Sequence, residues 1–356
     1  MRPTPRVLAA LTALPLLLLA ACGAPDADAG PVDAGPATEL RLGYFGNVTH
    51  APALVGVAQG LFTAELGDTE LSTQVFNAGP AAIEALNAGA IDATFIGPNP
   101  AINGFIRSSG ESLRIIAGST SGGAQLVVRD GITSAADLEG AELATPQLGG
   151  TQDVALRAWL TAQGLKSSIT GGGDVTITPT ENASTLQLFT DGKLDGAWLP
   201  EPWASRLVLD AGAHVLVDER DLWPDSQFLT THLIVATEFL EEHPETVEAL
   251  LRGTVASVDW LTANPGEAQR VVNAEIAKIS GKPLSDDVIA RAFTSITFSV
   301  DPLASTLDAL LEAGVTAGTT EEASLDGIYD LRLLNQVLTE AGRPSVSAAG
   351  LGQEQP

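Results

Sequence analysis

Starting at Glu39, short β-rich runs alternate with helical stretches, and near Glu142 the whole pattern begins again. That doubled alternation limits the fold more than any other feature. In the first series, strands are predicted over Leu40–Phe45, Leu71–Phe76, Ile91–Ile96, Leu113–Ala117 and Gln125–Val128. Helices are predicted over Ala51–Phe62, Ala81–Asn87 and Ala101–Arg107. The second series gives strands over Glu142–Thr145, Val175–Thr178, Leu194–Leu199, His214–Val217 and Leu229–Ala236, with helices over Asp153–Gln163, Ser184–Thr190 and Trp203–Ala211. Strand and helix lengths of this kind imply parallel βαβ units with helices on both sheet faces, an α/β class.

After Ala236 the pattern is helical only, over Glu238–Thr262, Gly266–Ser280, Asp286–Thr294, Leu303–Ala313 and Leu325–Ala341, punctuated by Pro244, Pro265, Pro283 and Pro302. Two α/β lobes are therefore expected. Residues 39–123 and 235–342 form the first and 124–234 the second, with crossings near Gln125–Val128 and Leu233–Ala236. Residues 343–356 read as a disordered tail.

The N-terminus carries a different signal. Arg2 and Arg6 precede an apolar run over Val7–Ala21 that is short for a membrane span and reads as a signal peptide, residues 1–21. It ends in Leu19-Ala20-Ala21-Cys22, which resembles the lipobox of bacterial lipoproteins. The resemblance implies lipidation of Cys22 and anchoring at the outer face of the cytoplasmic membrane. Cys22 is the only cysteine, so an internal disulfide is impossible. Residues 22–38, rich in Ala, Gly, Pro and Asp, read as a flexible tether.

The formal charge is −26, which excludes the basic footprint that nucleic acid demands.

In open α/β sheets, ligands collect at the carboxyl ends of strands, beside helix N-termini. The loops at those ends are Gly46-Asn47-Val48-Thr49-His50-Ala51-Pro52, Asn77-Ala78-Gly79-Pro80, Gly97-Pro98-Asn99-Pro100, Gln147-Leu148-Gly149-Gly150-Thr151-Gln152 and Pro200-Glu201-Pro202-Trp203. Ser119–Gly123 adds a Ser/Gly-rich loop. The candidate ligand residues are Tyr44, Asn47, His50, Gly79, Pro80, Gly97, Asn99, Ser119, Ser121, Gly150, Thr151, Gln152, Glu201 and Trp203. These loops contain no Lys or Arg, so an anion there would rest on backbone N–H groups and hydroxyls. Glu201 stands apart: it could receive an ammonium group beside the Trp203 indole, or make a structural hydrogen bond. His50 could touch ligand, whereas His232 reads as structural.

No catalytic constellation is present: no Gly-x-Ser-x-Gly elbow, no phosphate-binding Lys-Ser/Thr loop, no His-Glu-x-x-His. No cofactor or metal is expected.

Several segments occur in an order that resembles one family. They are Gly43-Tyr44, Ala51-Pro52 leading to Gln59-Gly60-Leu61-Phe62, Gly79-Pro80 followed by Ala85-Leu86-Asn87-Ala88-Gly89-Ala90-Ile91-Asp92, and Gly97-Pro98-Asn99-Pro100. Ser134-Ala135-Ala136-Asp137-Leu138-Glu139-Gly140, Asp191-Gly192-Lys193-Leu194-Asp195-Gly196-Ala197-Trp198 and His243-Pro244-Glu245 follow. Over Glu39–Ala341 the chain resembles substrate-binding proteins of ABC importers in the nitrate, taurine and alkanesulfonate group. The resemblance implies a type II periplasmic-binding-protein fold, with ligand captured between two lobes that close on it. A permease and its ATPase are the implied partners, the protein itself being a monomer with no enzymatic activity. It implies a sulfonate-like or amine-bearing small ligand of the taurine/alkanesulfonate class. An enzyme making a cofactor precursor on the same fold, and a ligand sensor for a membrane kinase, are the competing expectations.

Overall fold

The computed structural model describes residues 33–355. The expected signal peptide, the expected lipidation residue Cys22 and residues 22–32 of the expected tether lie outside the described residues. The first α/β series runs β1 (Glu39–Phe45), α1 (Ala51–Ala58), α2 (Leu61–Leu66), β2 (Glu70–Phe76), α3 (Gly79–Asn87), β3 (Ala93–Ile96), α4 (Pro98–Arg107) and β4 (Leu113–Gly122). The second comprises β5 (Ala124–Val128), β6 (Glu142–Thr145), α5 (Thr151–Ala162), β7 (Thr176–Pro179), α6 (Asn182–Thr190), β8 (Gly196–Pro200), α7 (Trp203–Ala211) and β9 (His214–Asp218). The remainder holds β10 (Leu229–Ala236), α8 (Thr237–Glu242), α9 (Pro244–Ala263), α10 (Pro265–Ser280), α11 (Asp286–Thr294), β11 (Ile296–Phe298), α12 (Leu307–Thr316), β12 (Tyr329–Asp330), α13 (Arg332–Glu340) and β13 (Gly352–Gln353).

These strands build two sheets, one per lobe. The larger has the order β13-β12-β4-β10-β3-β1-β2, with β11 added against β4, and the smaller has the order β7-β6-β8-β5-β9. Within the larger sheet β1 pairs in parallel with β2 and β3, whereas β10 runs antiparallel to both β3 and β4. In the smaller sheet, β5 is antiparallel to both β8 and β9. The sheets are thus mixed, not purely parallel, because each lobe carries one strand that arrives from the other. Alternation across β5 shows why the second lobe is covered on both faces. Leu126 and Val128 point into one apolar cluster with Leu143 and Trp198, while Val127 points into the other with Leu199 and Leu207.

β4 passes almost straight into β5. The turn is made by Gly122 and Gly123, both in the left-handed region at φ 79° and 78°. A side chain at Gly122 would meet the Ser295 carbonyl oxygen at 2.4 Å, so glycine is required on both counts. The return passage runs through residues 219–228, earlier than the expected Leu233–Ala236, because all of β10 belongs to the first lobe's sheet.

Other expectations need correction. Ser119–Gly123 is not a loop up to Gly122: β4 continues through it, pairing with β10 and β11. Its polar side chains are satisfied internally, Thr120 Oγ1 donating to the Thr49 carbonyl at 2.7 Å and Ser121 Oγ accepting the Phe228 N–H at 3.3 Å. The helix expected over Ala51–Phe62 breaks at Gly60, which adopts φ 66° between α1 and α2.

The expected tail is ordered over 343–355. Leu331 N–H donates to the Gln353 carbonyl at 2.7 Å, Asn335 brackets Val346 with both amide atoms, and Ala348 is buried. The end of the expected tether is also bound. Ala34 N–H reaches the Glu242 carbonyl at 2.8 Å, Ala37 N–H reaches Thr246 Oγ1 at 2.8 Å, and Ala37 is itself buried. Small and polar residues give no apolar periodicity, so docking through backbone groups left no trace in the pattern.

Among the described residues, no helix is long and apolar enough to cross a membrane.

Candidate functional site

Between the two sheets, where β1, β2, β3, β6 and β8 end, lies a cavity of about 30 Å³. Four helices begin there. Ala78 and Gly79 open α3, Gly97 and Pro100 belong to the start of α4, Gly150 and Thr151 open α5, and Asn182 opens α6. First-turn N–H groups lack intrahelical partners, and the helix dipole places partial positive charge at that end. α4 gives fewer donors than the others, since Pro98 and Pro100 have no N–H.

Side chains complete the same character. Asn47, Thr49, His50, Asn77, Gln152, Thr230 and Thr231 line the cavity, and no Asp, Glu, Lys or Arg does. Three lining groups are buried without a hydrogen-bond partner: Thr151 Oγ1, Asn182 Oδ1 and Thr231 Oγ1. Buried polar atoms are seldom left unpaired, so such a cluster around one space suits a polar molecule that supplies the partners. His50 Nδ1 accepts the Phe45 N–H at 3.3 Å and its ring stacks on Phe45 at 4.2 Å. Burial holds its pKa down at about 3, so the ring is neutral with its proton on Nε2, a donor.

The α5 loop owes its shape to Asp153, which is fully buried. Its carboxylate accepts from Thr145 Oγ1 at 2.9 Å, from the Gly149 N–H at 3.0 Å, and from Arg157 Nε at 3.0 Å. The turn before Thr151 is thereby fixed to the end of β6.

Gly97 shows how closely the lobes approach. A Cβ there would fall 2.3 Å from Thr151 Oγ1 and 3.4 Å from the Thr230 carbonyl oxygen. Only a hydrogen fits between β3's end in one lobe and α5's start in the other.

Of the sequence-predicted residues, the cavity brings together Asn47, His50, Gly79, Gly97, Gly150, Thr151 and Gln152. The others lie elsewhere. Tyr44 is buried beside Thr73, with Glu275 and Lys278 nearby. Pro80 lines a different depression with Arg107 and Leu148. Asn99 Nδ2 donates to the Leu310 carbonyl at 2.9 Å, tying α4 to α12. Ser119 and Ser121 are buried in β4.

Glu201 also turns away from the cavity. Its carboxylate, fully buried, accepts from Arg291 Nη1 at 3.0 Å and from the Ser205 N–H at 3.0 Å. Burial raises its pKa against the opposing pull of Ser205 and Arg291. Arg291 reaches across from α11, donating also to Ser205 Oγ at 2.7 Å and to Gln125 Oε1 at 2.8 Å. The carboxylate, read from the sequence as either an ammonium acceptor or a structural hydrogen-bond partner, is thus held by an internal ion pair. Trp203 lies just outside the cavity and donates from Nε1 to Asn47 Oδ1 at 2.9 Å, with the Arg206 guanidinium over its ring at 4.8 Å.

Asn182, Thr230 and Thr231 were missed. Asn182 follows a strand end like the others, and that position was the available signal. The threonines sit on β10, where polar residues in a strand read as solvent-facing. His232 beside them is buried with neither ring nitrogen partnered, and burial lowers its pKa to about 3.

Among the described residues no group of three or more His, Cys, Asp or Glu could hold a metal.

The chain is 26% identical over 237 residues to the taurine-binding periplasmic protein of Escherichia coli, covering 66% of this chain and 71% of that protein. A Brucella abortus protein named only as a binding protein is 26% identical over 268 residues, covering 71% of this chain and 79% of the other. Among solved structures, the alkanesulfonate-binding protein of Xanthomonas axonopodis bound to MOPS matches with a TM-score of 0.67. Its identity is 22%, and the match covers 80% of this chain and 95% of that one. The nitrate-binding protein of Synechocystis matches at a TM-score of 0.68 and 17% identity, covering 81% and 83%. The two-lobed architecture is therefore a periplasmic-binding-protein fold. The NMT1-like family matches residues 33–277, and the chain belongs to that family.

Proposed function

We propose that the chain is the extracytoplasmic solute-binding subunit of an ABC importer, that it captures a small oxyanion of the sulfonate class, and that it does no chemistry on it. The observation that carries this reading is the cavity itself. Four helix N-termini and three unpartnered polar atoms surround a space lined by no charged side chain. Backbone donors and neutral hydroxyls suit a hydrogen-bond acceptor carrying negative charge. The taurine-binding relative of Escherichia coli supports the same ligand class.

Glu201 is paired with Arg291, so an amine on the ligand would need a partner other than this carboxylate. A cavity of about 30 Å³ has room for about two waters. An oxyanion head fits that space; its organic body requires the lobes to stand somewhat further apart. Ligand binding would then select among lobe separations, as contacts from both lobes become available together.

Cys22 would hold the protein at the outer face of the membrane through acyl chains, with permease and ATPase as partners of the monomer. Cys22→Ala should release it into the soluble fraction; a variant that stays with membranes would show that Cys22 is not the anchor.

The deciding experiment titrates purified protein with ethanesulfonate, taurine, nitrate and an uncharged sulfone, following heat and tryptophan emission. Tight binding of the sulfonates with none of the sulfone supports the assignment. Preference for the sulfone would defeat it.

A further inference from the structure

A second cavity opens away from the cleft, at about 680 Å³, and shares no lining residue with it. We propose that it binds an organic cation with an apolar body, through its indoles and a buried carboxylate.

One wall is a face of α5, where Ala155, Ala158 and Ala162 recur at helical spacing and their small side chains leave the space open. Facing it are Thr306 and Ala309, at the start of α12 in the other lobe. Two indoles, Trp159 and Trp223, line the cavity as well. Their electron-rich faces are the preferred partners of an alkylammonium group.

Charge points the same way. The lining includes Glu219 and Asp225 and no Lys or Arg. Glu219 is 2% exposed, and Trp198 Nε1 donates to its Oε2 at 2.8 Å. A carboxylate has about four acceptor sites, so this bond leaves capacity for a further donor or cation. Its other neighbours are Asp218 and Trp223; burial and Asp218 raise its pKa to about 7, and the indoles oppose them. Arg220, the nearest cation in sequence, is already bound to both oxygens of Asp218. An acid held in apolar surroundings without a basic partner is where a ligand's positive charge would be most useful. The chain's formal charge of −26 also enriches cations near its surface. Volumes of about 300–1,000 Å³ are those of small-molecule sites.

The test uses the full chain with benzyltrimethylammonium as probe and 2,2-dimethyl-3-phenylpropan-1-ol as its uncharged counterpart, read by calorimetry and indole quenching. Saturable binding of the cation is expected, with the uncharged compound and Glu219→Gln each weakening it by about fivefold or more. Gln keeps an acceptor for Trp198, and a thermal midpoint no lower than that of wild type would verify the fold. Trp223→Leu should weaken the cation as well. Equal binding of the two compounds would reduce the feature to an apolar crevice and overturn the proposal. So would an unaffected Glu219→Gln, or no saturation by about 10 mM. Loss of cation binding in Thr151→Val would place the cation in the cleft and overturn the proposal too.

Discussion

The Trp203 indole N–H donates to Asn47 Oδ1 at 2.9 Å, joining the start of α7 in one lobe to the loop after β1 in the other. The bond is made only when the lobes are close, so it favours the closed arrangement. A neutral hydrogen bond contributes about 1 kcal/mol net. Trp203→Phe should therefore weaken ligand binding by about fivefold, mostly through faster release. Stopped-flow dissociation is the measurement; an unchanged release rate would mean that the bond does not open with the lobes.

Gly97→Ala should act more strongly. The added carbon would sit 2.3 Å from Thr151 Oγ1, and nothing within either lobe needs to change for both to fold. Thermal unfolding should stay near wild type, whereas affinity should fall about tenfold or more for a small oxyanion such as nitrate and by less for a bulkier sulfonate, since closure must stop short. Small-angle scattering with saturating ligand should show no contraction.

Thr151→Val and Thr231→Val should separate stability from affinity. Each hydroxyl is buried and unpartnered without ligand, so replacing it with a methyl group should leave the free protein as stable or about 1 kcal/mol more stable. Affinity for an oxyanion should drop about fivefold to tenfold for each. Loss of stability with intact affinity would show that the hydroxyls serve the fold instead.

Arg291→Met would strand the buried Glu201 carboxylate. Breaking such a pair costs about 3–5 kcal/mol, while replacing both partners is far milder. Urea denaturation should show that loss in the single variant and partial recovery in Arg291→Met combined with Glu201→Gln.

Glu219 gives a pH dependence of definite sign. Its folded pKa, about 7, lies above the ordinary 4.5, so the native state holds a proton that the unfolded chain releases. Its stabilising contribution is complete below about pH 4.5 and is lost as pH rises through about 7, amounting to roughly 3 kcal/mol. Glu219→Gln should flatten that part of the stability profile between about pH 4.5 and pH 7, measured by chemical denaturation. A variant profile parallel to wild type would show that Glu219 does not carry the effect.

The strand and helix alternation made the two lobes legible, because period-2 and period-3.6 patterns survive in any α/β chain. The strand-end rule led to Asn47, His50, Gly97 and Thr151, which line one cavity, for a related reason: loop chemistry at helix starts is local. What the sequence could not carry was the direction of a side chain. Glu201 and Trp203 share a loop that reaches the cleft, yet Arg291 lies 90 residues later and draws the carboxylate inward. Thr231 and Asn182 needed the opposite correction. A threonine on a strand has two faces to choose from, and only the sheet order decides which faces the cavity. The ordered tail was hidden because β13 is held by two residues of backbone pairing.

The four helix ends around the cleft have a consequence for where the protein can work. Their positive character comes from peptide groups that have no proton to gain or lose, and His50 stays neutral down to about pH 3. No lining group changes charge between roughly pH 4 and pH 10. Selectivity therefore follows the acidity of the solute: strong acids remain bound in acidic surroundings, and weak ones are shed once they take up their own proton.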